Sequence, residues 1–431
     1  MSEIRRIKAR EVLDSRGRPT VEVDIICADN ARGRAIVPSG ASTGAAEAHE
    51  LRDHDAQHYD GLGVRVAVES VEKVIAPELI GHDAGDQASL DQRLLQLDGT
   101  PRKERLGANA LLGVSLAAAH AAAASGGVPL YRHVQQLFAA ALTDMQVDVS
   151  KFQPRMPRPM TNMISGGLHA GGNFAVQDVL AIPVAARDFA TGLEWLVRIH
   201  RRLGEVLTDA GFEGRLVADE GGYGPRLPDH LAAIELLLEA IEQAALRPGA
   251  DVTLALDVAA THFYDGAAYR LGNHGKTWSG EQMIEHLADL VARFPITSIE
   301  DGLAEDDWPA WQQLTARLGD EVQLVGDDLL ATQPDRVRRA IESRAANSVL
   351  VKVNQVGTLS ETFQTMRLAI EAGWTRVVSA RSGDTEDTTI ADLAVGTAAE
   401  MIKIGSVTRS ERLAKYNQLL RIEEDLTSGG A

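Results

Sequence analysis

The sequence predicts an α/β fold, and a barrel in particular. Two observations lead there. Short apolar segments run repeatedly into an acidic or basic residue: Leu254-Ala255-Leu256-Asp257, Thr297-Ser298-Ile299-Glu300, Leu324-Val325-Gly326-Asp327-Asp328, Val349-Leu350-Val351-Lys352 and Met401-Ile402-Lys403. From Asp257 onward, these endings are spaced by about one strand plus one helix. A third observation weighs against the main competitor, a doubly wound sheet. The chain carries neither a dinucleotide-binding glycine fingerprint nor a Walker A loop. Pattern alone still leaves that competitor open. In a barrel the endings would share one mouth, at the carboxyl ends of the strands.

The elements follow in order. Residues 4–12 and 20–26 alternate as strands do, and Asp14-Ser15-Arg16-Gly17-Arg18-Pro19 between them reads as a turn. Residues 34–37 can pair with them before PSGASTGAA breaks the pattern. Helical periodicity starts at Glu47 and recurs over 61–80 and 86–96. GANALLGVSLAAAHAAAASGG is a long helix former, ended by Gly126-Gly127 with Pro129 beyond. Its alanines suit close packing, including packing against a second subunit. A connection at 147–150 leads to a new regime, so the domains are read as 1–140 and 151–431. Ala175-Val176-Gln177-Asp178, Leu216-Val217-Ala218-Asp219-Glu220 and the apolar run before Ser379-Ala380-Arg381-Ser382 complete the set of strand endings.

Hydrophobic residues make up 45% of the 431 positions and aromatics only 4%, so aliphatic side chains must fill the core. The formal net charge of -18 argues against nonspecific binding to nucleic acid or anionic membrane. An anionic substrate remains compatible, because a few cations or a metal reverse the field in one cleft. Cys27 is the only cysteine, which excludes an intrachain disulfide and a thiolate zinc site. No signal-peptide hydrophobic region opens the chain and no segment reads as a membrane span, so a cytoplasmic protein is expected.

Asp257, Glu300 and Asp327 are hard oxygen ligands on three successive strand ends, and together they suit magnesium or manganese. Any one of them alone would be an ordinary surface acid. Lys352 and Lys403 also follow apolar strands. In a metal-lined mouth, one could remove a proton while the other holds an anion. A lysine serves as base near neutral pH only if burial or nearby cations lower its pKa. Glu220, beside two glycines in VADEGGYGP, could act as a general acid opposite the lysines. His169 lies between glycine pairs in SGGLHAGG, as a mobile-loop residue or a plain surface histidine. Ser42 in PSGASTG could be a loop hydroxyl, a helix cap or a metal ligand. Arg381 and Ser382 suit a phosphate or carboxylate. The constellation fits proton abstraction next to a carboxylate.

Over nearly its whole length the chain resembles enolases. The matching segments include DSRGRPTVEV, SGASTGAAEAHELRD, LGANALLGVSLA, GGLHAGG, DEGGYGP, SIEDGLAEDDWPAW, VGDDLLATQP, LVKVNQVGTLSET, ARSGDTEDTTIADL and RSERLAKYNQLLRIEE. The resemblance implies an N-terminal α+β domain capping a modified (β/α)8 TIM barrel with an antiparallel strand near its start. It implies a homodimer, with larger assemblies left open, and two Mg2+ ions per active site when substrate is bound. Asp257, Glu300 and Asp327 would hold the first ion, and Ser42 would help hold the second. Lys352 would remove the C2 proton of 2-phosphoglycerate, and Glu220 would assist departure of the C3 hydroxyl. Lys403 would bind the substrate carboxylate region, and Arg381 and Ser382 the phosphate. His169 would sit on a closing loop, and Gln177 at the substrate end of the pocket.

The departures cluster where the C3 hydroxyl is handled. Ala380 stands where enolases have histidine in SHRSG. Gln177-Asp178-Val179 replaces QEF, which leaves Asp178 one methylene short. Ser165 replaces an asparagine, Gly302 replaces a proline, and Thr261-His262 stands where Ser-Glu is common. Losing one positioned acid–base group costs roughly 10² to 10⁴ in rate. Three functions are therefore weighed. One is interconversion of 2-phosphoglycerate and phosphoenolpyruvate. The second is a related enolpyruvyl reaction like that of the family relative carboxyphosphonoenolpyruvate synthase, which joins phosphoenolpyruvate and phosphonoformate. The third is a non-catalytic binding protein.

Overall fold

The computed structural model describes residues 2–40, 44–145, 147–271 and 276–428. Three antiparallel strands open the chain in the order β1 (Ile4–Leu13), β2 (Pro19–Cys27) and β3 (Arg32–Ile36). The turn between β1 and β2 forms because the Asp14 carboxylate accepts from the backbone N–H of Arg16 and Arg18 at 2.8 and 2.9 Å. The alanine-rich segment is the helix Ala108–Gly126, and it lies on β2 and β3. The approach is so close that a Cβ on Gly33 would lie 2.0 Å from the Ala117 carbonyl oxygen. The alanines thus serve this chain's own sheet. By length and composition this helix could cross a membrane, which corrects the expectation that no segment could; 83% of the window is buried inside the fold.

Helix-like periodicity misled at residues 47–53, which form no helix. Their backbone N–H groups are taken by distant partners instead: Ala48 donates to the Gln355 carbonyl, His49 to that of Arg102, and Leu51 to the Asn109 side chain. The region 61–80 is helical only in pieces, Arg65–Glu69, Ser70–Ile75 and Ala76–Leu79. Residues 86–96 fall on the helix Gln87–Asp98, capped by Asp86.

The rest of the chain closes a barrel, which settles the question of a doubly wound sheet. Its strands are β4 (Arg158–Ser165), β5 (Asp178–Ile182), β6 (Thr253–Asp257), β9 (Ile296–Glu300), β10 (Gln323–Gly326), β11 (Ser348–Val351), β12 (Thr375–Ser379) and β13 (Met401–Lys403). The hairpin of β7 (Tyr269–Leu271) and β8 (Lys276–Trp278) stands outside it. Two helices, Phe189–Asp209 and His230–Gln243, follow β5; from β9 on, strand and helix alternate. All barrel neighbours are parallel except β5, which runs against both β4 and β6.

That reversal corrects one reading and rescues another. Residues 175–178 do not end a strand; Asp178 begins one. Because β5 runs backward, its first residue still lies at the mouth, in register with Asp257. Residues 216–220 form a loop rather than a strand, tied down by a bridge between Val217 and Tyr223. Below the mouth, Met160, Leu180, Ile182, Ala255, Val325, Leu350 and Val377 fill the barrel. This plug makes the interior a packed floor and confines polar chemistry to the top.

Candidate active site

A cavity at the mouth is lined by His169, Gln177, Glu220, Asp257, Asp327, Lys352, Ser379, Ala380, Arg381, Ser382 and Lys403. The register of the strands explains much of this meeting. Asp178, Asp257 and Glu300 sit side by side on β5, β6 and β9, and Ser379 pairs with Lys403 across β12 and β13. Ser42 lies outside the described residues.

The lysines and acids neutralise one another. Lys403 Nζ donates to Asp257 Oδ2 at 2.8 Å and to Glu300 Oε2 at 2.7 Å. Lys352 Nζ donates to Asp327 Oδ2. Burial and the neighbouring Asp257 push Glu300 up to about 8, with Lys403 pulling the other way. Burial would lower the Lys352 pKa, but Asp327 outweighs it and the net direction is upward. The expectation of a base made by surrounding cations is therefore not met in this arrangement: carboxylates dominate, and Lys352 is held protonated. Engaging Asp327 elsewhere would lower that pKa toward a base's range.

The donor set fits a divalent ion. Asp257, Glu300 and Asp327 are buried and offer only oxygen, and negative charge is in excess around Glu300. Gln177 Nε2 donates to Asp257 Oδ2 at 3.1 Å, while Gln177 Oε1 is buried without a hydrogen-bond partner. An orphaned oxygen on a side chain bound to Asp257 is what a cation or its water would satisfy.

Arg381 reaches the cavity from a tightly held loop. Its guanidinium meets both oxygens of Glu47, at 2.9 and 3.2 Å, and Asn354 Oδ1 at 2.8 Å. Arg412, wholly buried, donates to the carbonyls of Arg381 and Ser382 at 2.6 and 2.7 Å. The N-terminal domain packs onto the same loop. A Cβ on Gly383 would lie 2.2 Å from Arg16 Nη2, so a larger residue there would have to displace the Asp14–Arg16 ion pair. Ala380 donates its N–H to the Lys403 carbonyl at 2.8 Å, and its methyl group leaves that stretch of wall without a polar group.

His169 is neither a free surface residue nor remote from the acids. Its Nδ1 is 2.8 Å from Asp178 Oδ2 and its Nε2 is 3.8 Å from Glu220 Oε1. Burial opposes its charge, but Asp178 and then Glu220 outweigh that and hold its pKa at about 9. Glu220 shows the mirror case. Burial would raise it, yet His169, Arg412, Lys403 and Lys352 hold it at about 2. A carboxyl group this acidic carries no proton at neutral pH, so Glu220 as general acid needs a proton from a neighbour. Asp178 is wholly buried behind His169 rather than exposed to the cavity.

Sequence reasoning missed several supports. Glu47 holds Arg381 from another domain. Gln355 Nε2 donates to both Glu47 Oε1 and Asp327 Oδ1, at 3.2 and 3.0 Å. Asp301 accepts from the N–H groups of Asp327 and Asp328 at 2.9 and 2.7 Å. Asn162 Nδ2 donates to Glu220 Oε2 at 3.0 Å. Only Asp301 carried a local signal, as the second acid of SIEDG.

Two family models match the chain. One, described as enolase, N-terminal domain, covers residues 4–134; the other, described as enolase, C-terminal TIM barrel domain, covers residues 153–431.

Proposed function

The chain belongs to the enolase family, and from that premise we propose that it is a Mg2+-dependent lyase interconverting 2-phosphoglycerate and phosphoenolpyruvate. The observation that carries this reading is the pairing of the buried Lys403 and the part-buried Lys352 with Asp257, Glu300 and Asp327 at one barrel mouth. Such a site can take a proton from carbon and bear the charge that results. When bound by Asp257, Glu300 and Asp327, Mg2+ supplies the positive charge against which an anion forms next to the substrate carboxylate.

The chain's own residues divide the remaining work. Lys352 takes the C2 proton once Asp327 no longer holds its ammonium form. Lys403 presents a positive charge to the carboxylate region. Arg381 and Ser382 receive the phosphate, with Glu47, Asn354 and Arg412 fixing their loop. The Met160–Val377 plug keeps water from entering from below.

One observation favours a second reading. Ala380 leaves part of the cavity wall without an acid–base group, and Asp178 is withdrawn behind His169. A reaction that joins phosphoenolpyruvate to phosphonoformate would make less use of water-handling groups there. The deciding experiment supplies Mg2+ and each substrate set to the purified protein. Appearance of phosphoenolpyruvate from 2-phosphoglycerate supports the first reading. Consumption of phosphoenolpyruvate only with phosphonoformate present supports the second. Turnover of neither set would overturn both.

A further inference from the structure

The helix Leu359–Glu371 begins shortly after Lys352, and the N-terminal domain grips its first turn. Ser360 donates to Asp91 Oδ2 twice, through its N–H at 2.9 Å and its hydroxyl at 2.7 Å. Leu359 donates its N–H to Ser115 Oγ at 3.1 Å, and Lys103 Nζ donates to Glu361 Oε1 at 2.5 Å. Asp91 lies on the helix Gln87–Asp98 and Ser115 on the helix Ala108–Gly126. Gln87 Nε2 ties the two together, donating to Asp91 Oδ1 and to Ser115 Oγ at 3.0 Å each. Gln87, Asp91, Lys103 and Ser115 are all buried. A wholly buried carboxylate is costly unless its oxygens are satisfied. Here the donors above and the positive end of the helix satisfy Asp91, and they do so only while that helix start stays in place. The segment between Lys352 and this grip serves the barrel mouth. Lys352 follows β11, Asn354 Oδ1 accepts from Arg381 at 2.8 Å, and Gln355 Nε2 donates to Asp327 Oδ1 at 3.0 Å. Gly357, at a φ of 107°, then turns the chain into the helix.

Resting on the proton-abstraction reading above, we propose that Asp91 is a remote positioning residue for Lys352. By anchoring the start of the helix Leu359–Glu371, it sets where residues 352–358 lie. Those residues are a short bridge, fixed by β11 at one end and by the N-terminal domain at the other. Close-packed interiors transmit strain, so a bridge pinned at both ends moves when either pin is loosened. Asp91 does not line the cavity; it acts through Ser360 and the segment before it. Ser115 and Lys103 share the anchor. The junction between the two domains thereby takes part in aiming the base, and a displacement of about 1 Å at a reacting group costs on the order of 10² in rate.

The test pairs a local structural readout with a chemical one. In Asp91→Asn, amide hydrogens of residues 352–361 should exchange about tenfold faster or more, while those of the barrel strands keep their wild-type rates. With Mg2+ and saturating 2-phosphoglycerate, deuterium exchange at C2 should fall about tenfold or more in the same variant. Ser360→Ala, which removes a single hydroxyl, should shift both readouts the same way by a smaller factor, and it carries the test if Asp91→Asn fails to fold. The two changes combined should lose less than the product of their separate effects, because they break one contact. Asp188→Ala is the control for a merely structural role. Asp188 accepts from the Thr191 N–H at 2.7 Å at the start of the helix Phe189–Asp209, so its loss removes the same kind of cap from a helix not joined to Lys352. That variant should lose stability and keep C2 exchange within about threefold of wild type. Faster amide exchange in Asp91→Asn with undiminished C2 exchange would overturn the proposal, and so would slower C2 exchange with no change at residues 352–361. If wild-type protein showed no C2 exchange at all, the proton-abstraction reading would fall on its own. Amide exchange would then still decide whether Asp91 holds the segment, and unchanged rates in Asp91→Asn would overturn that too.

Discussion

Replacing Glu47 with alanine should damage the site from outside the barrel. Glu47 and Arg381 form a two-pronged ion pair whose side chains are only 6% and 3% exposed. Removing one member of such a buried pair typically costs about 3–5 kcal/mol, because the remaining charge is left without compensation. Here the lower end applies: Asn354 still accepts from Arg381 at 2.8 Å, and Asp327 and Glu50 also favour its charge. A loss of about 3 kcal/mol follows, and if it appears in substrate binding it is about a hundredfold. Two assays read it. The chemical-denaturation midpoint should fall under conditions where the transition is reversible, and KM for a phosphorylated substrate should rise more than kcat falls. An unchanged midpoint together with an unchanged KM would refute the reasoning, since it would mean that the guanidinium needs no partner from the N-terminal domain.

Three other perturbations probe different links. The His169 pKa of about 9 lies above the ordinary 6.5, so its ion pair contributes fully near pH 6.5 and is lost as pH rises through about 9; burial raises the Asp178 pKa, so the pair also weakens where falling pH protonates that carboxylate. The stability gap between wild type and Asp178→Asn should therefore narrow over that range, as followed by denaturation at several pH values; a gap that widened would reverse the sign. Gly33→Ala would force a Cβ to within 2.0 Å of the Ala117 carbonyl oxygen, so the domain should lose about 1–3 kcal/mol in thermal or chemical unfolding. Ala380→His should raise phosphoenolpyruvate formation about tenfold or more if the bare stretch of wall limits the rate, as measured with saturating 2-phosphoglycerate.

What the sequence made legible follows from how local each signal is. Asp257, Glu300, Lys352 and Lys403 announced themselves because each directly follows an apolar strand, and strand ends in a barrel share one mouth. The reversed strand β5 was harder. Its apolar residues follow Asp178 rather than precede it, yet antiparallel pairing brings that residue to the same rim. The false helix at 47–53 and the missed role of Glu47 have one cause. That segment's groups are satisfied across the molecule, by Gln355, Arg102, Asn109 and Arg381, and periodicity carries no trace of such partners. Ser165 and Asp178 each looked like an isolated loss. Only the β4–β5 register makes them a single feature that turns Asp178 toward His169.

The central claim is that this barrel mouth removes a proton from carbon through Lys352. The most direct measurement follows the C2 proton of 2-phosphoglycerate by NMR in deuterium oxide with Mg2+, for wild type and Lys352→Ala side by side. Wild type should replace that proton with deuterium, and Lys352→Ala should still bind substrate but leave C2 untouched. Undiminished exchange in Lys352→Ala, or no exchange in wild-type protein shown to have bound substrate, would contradict the claim.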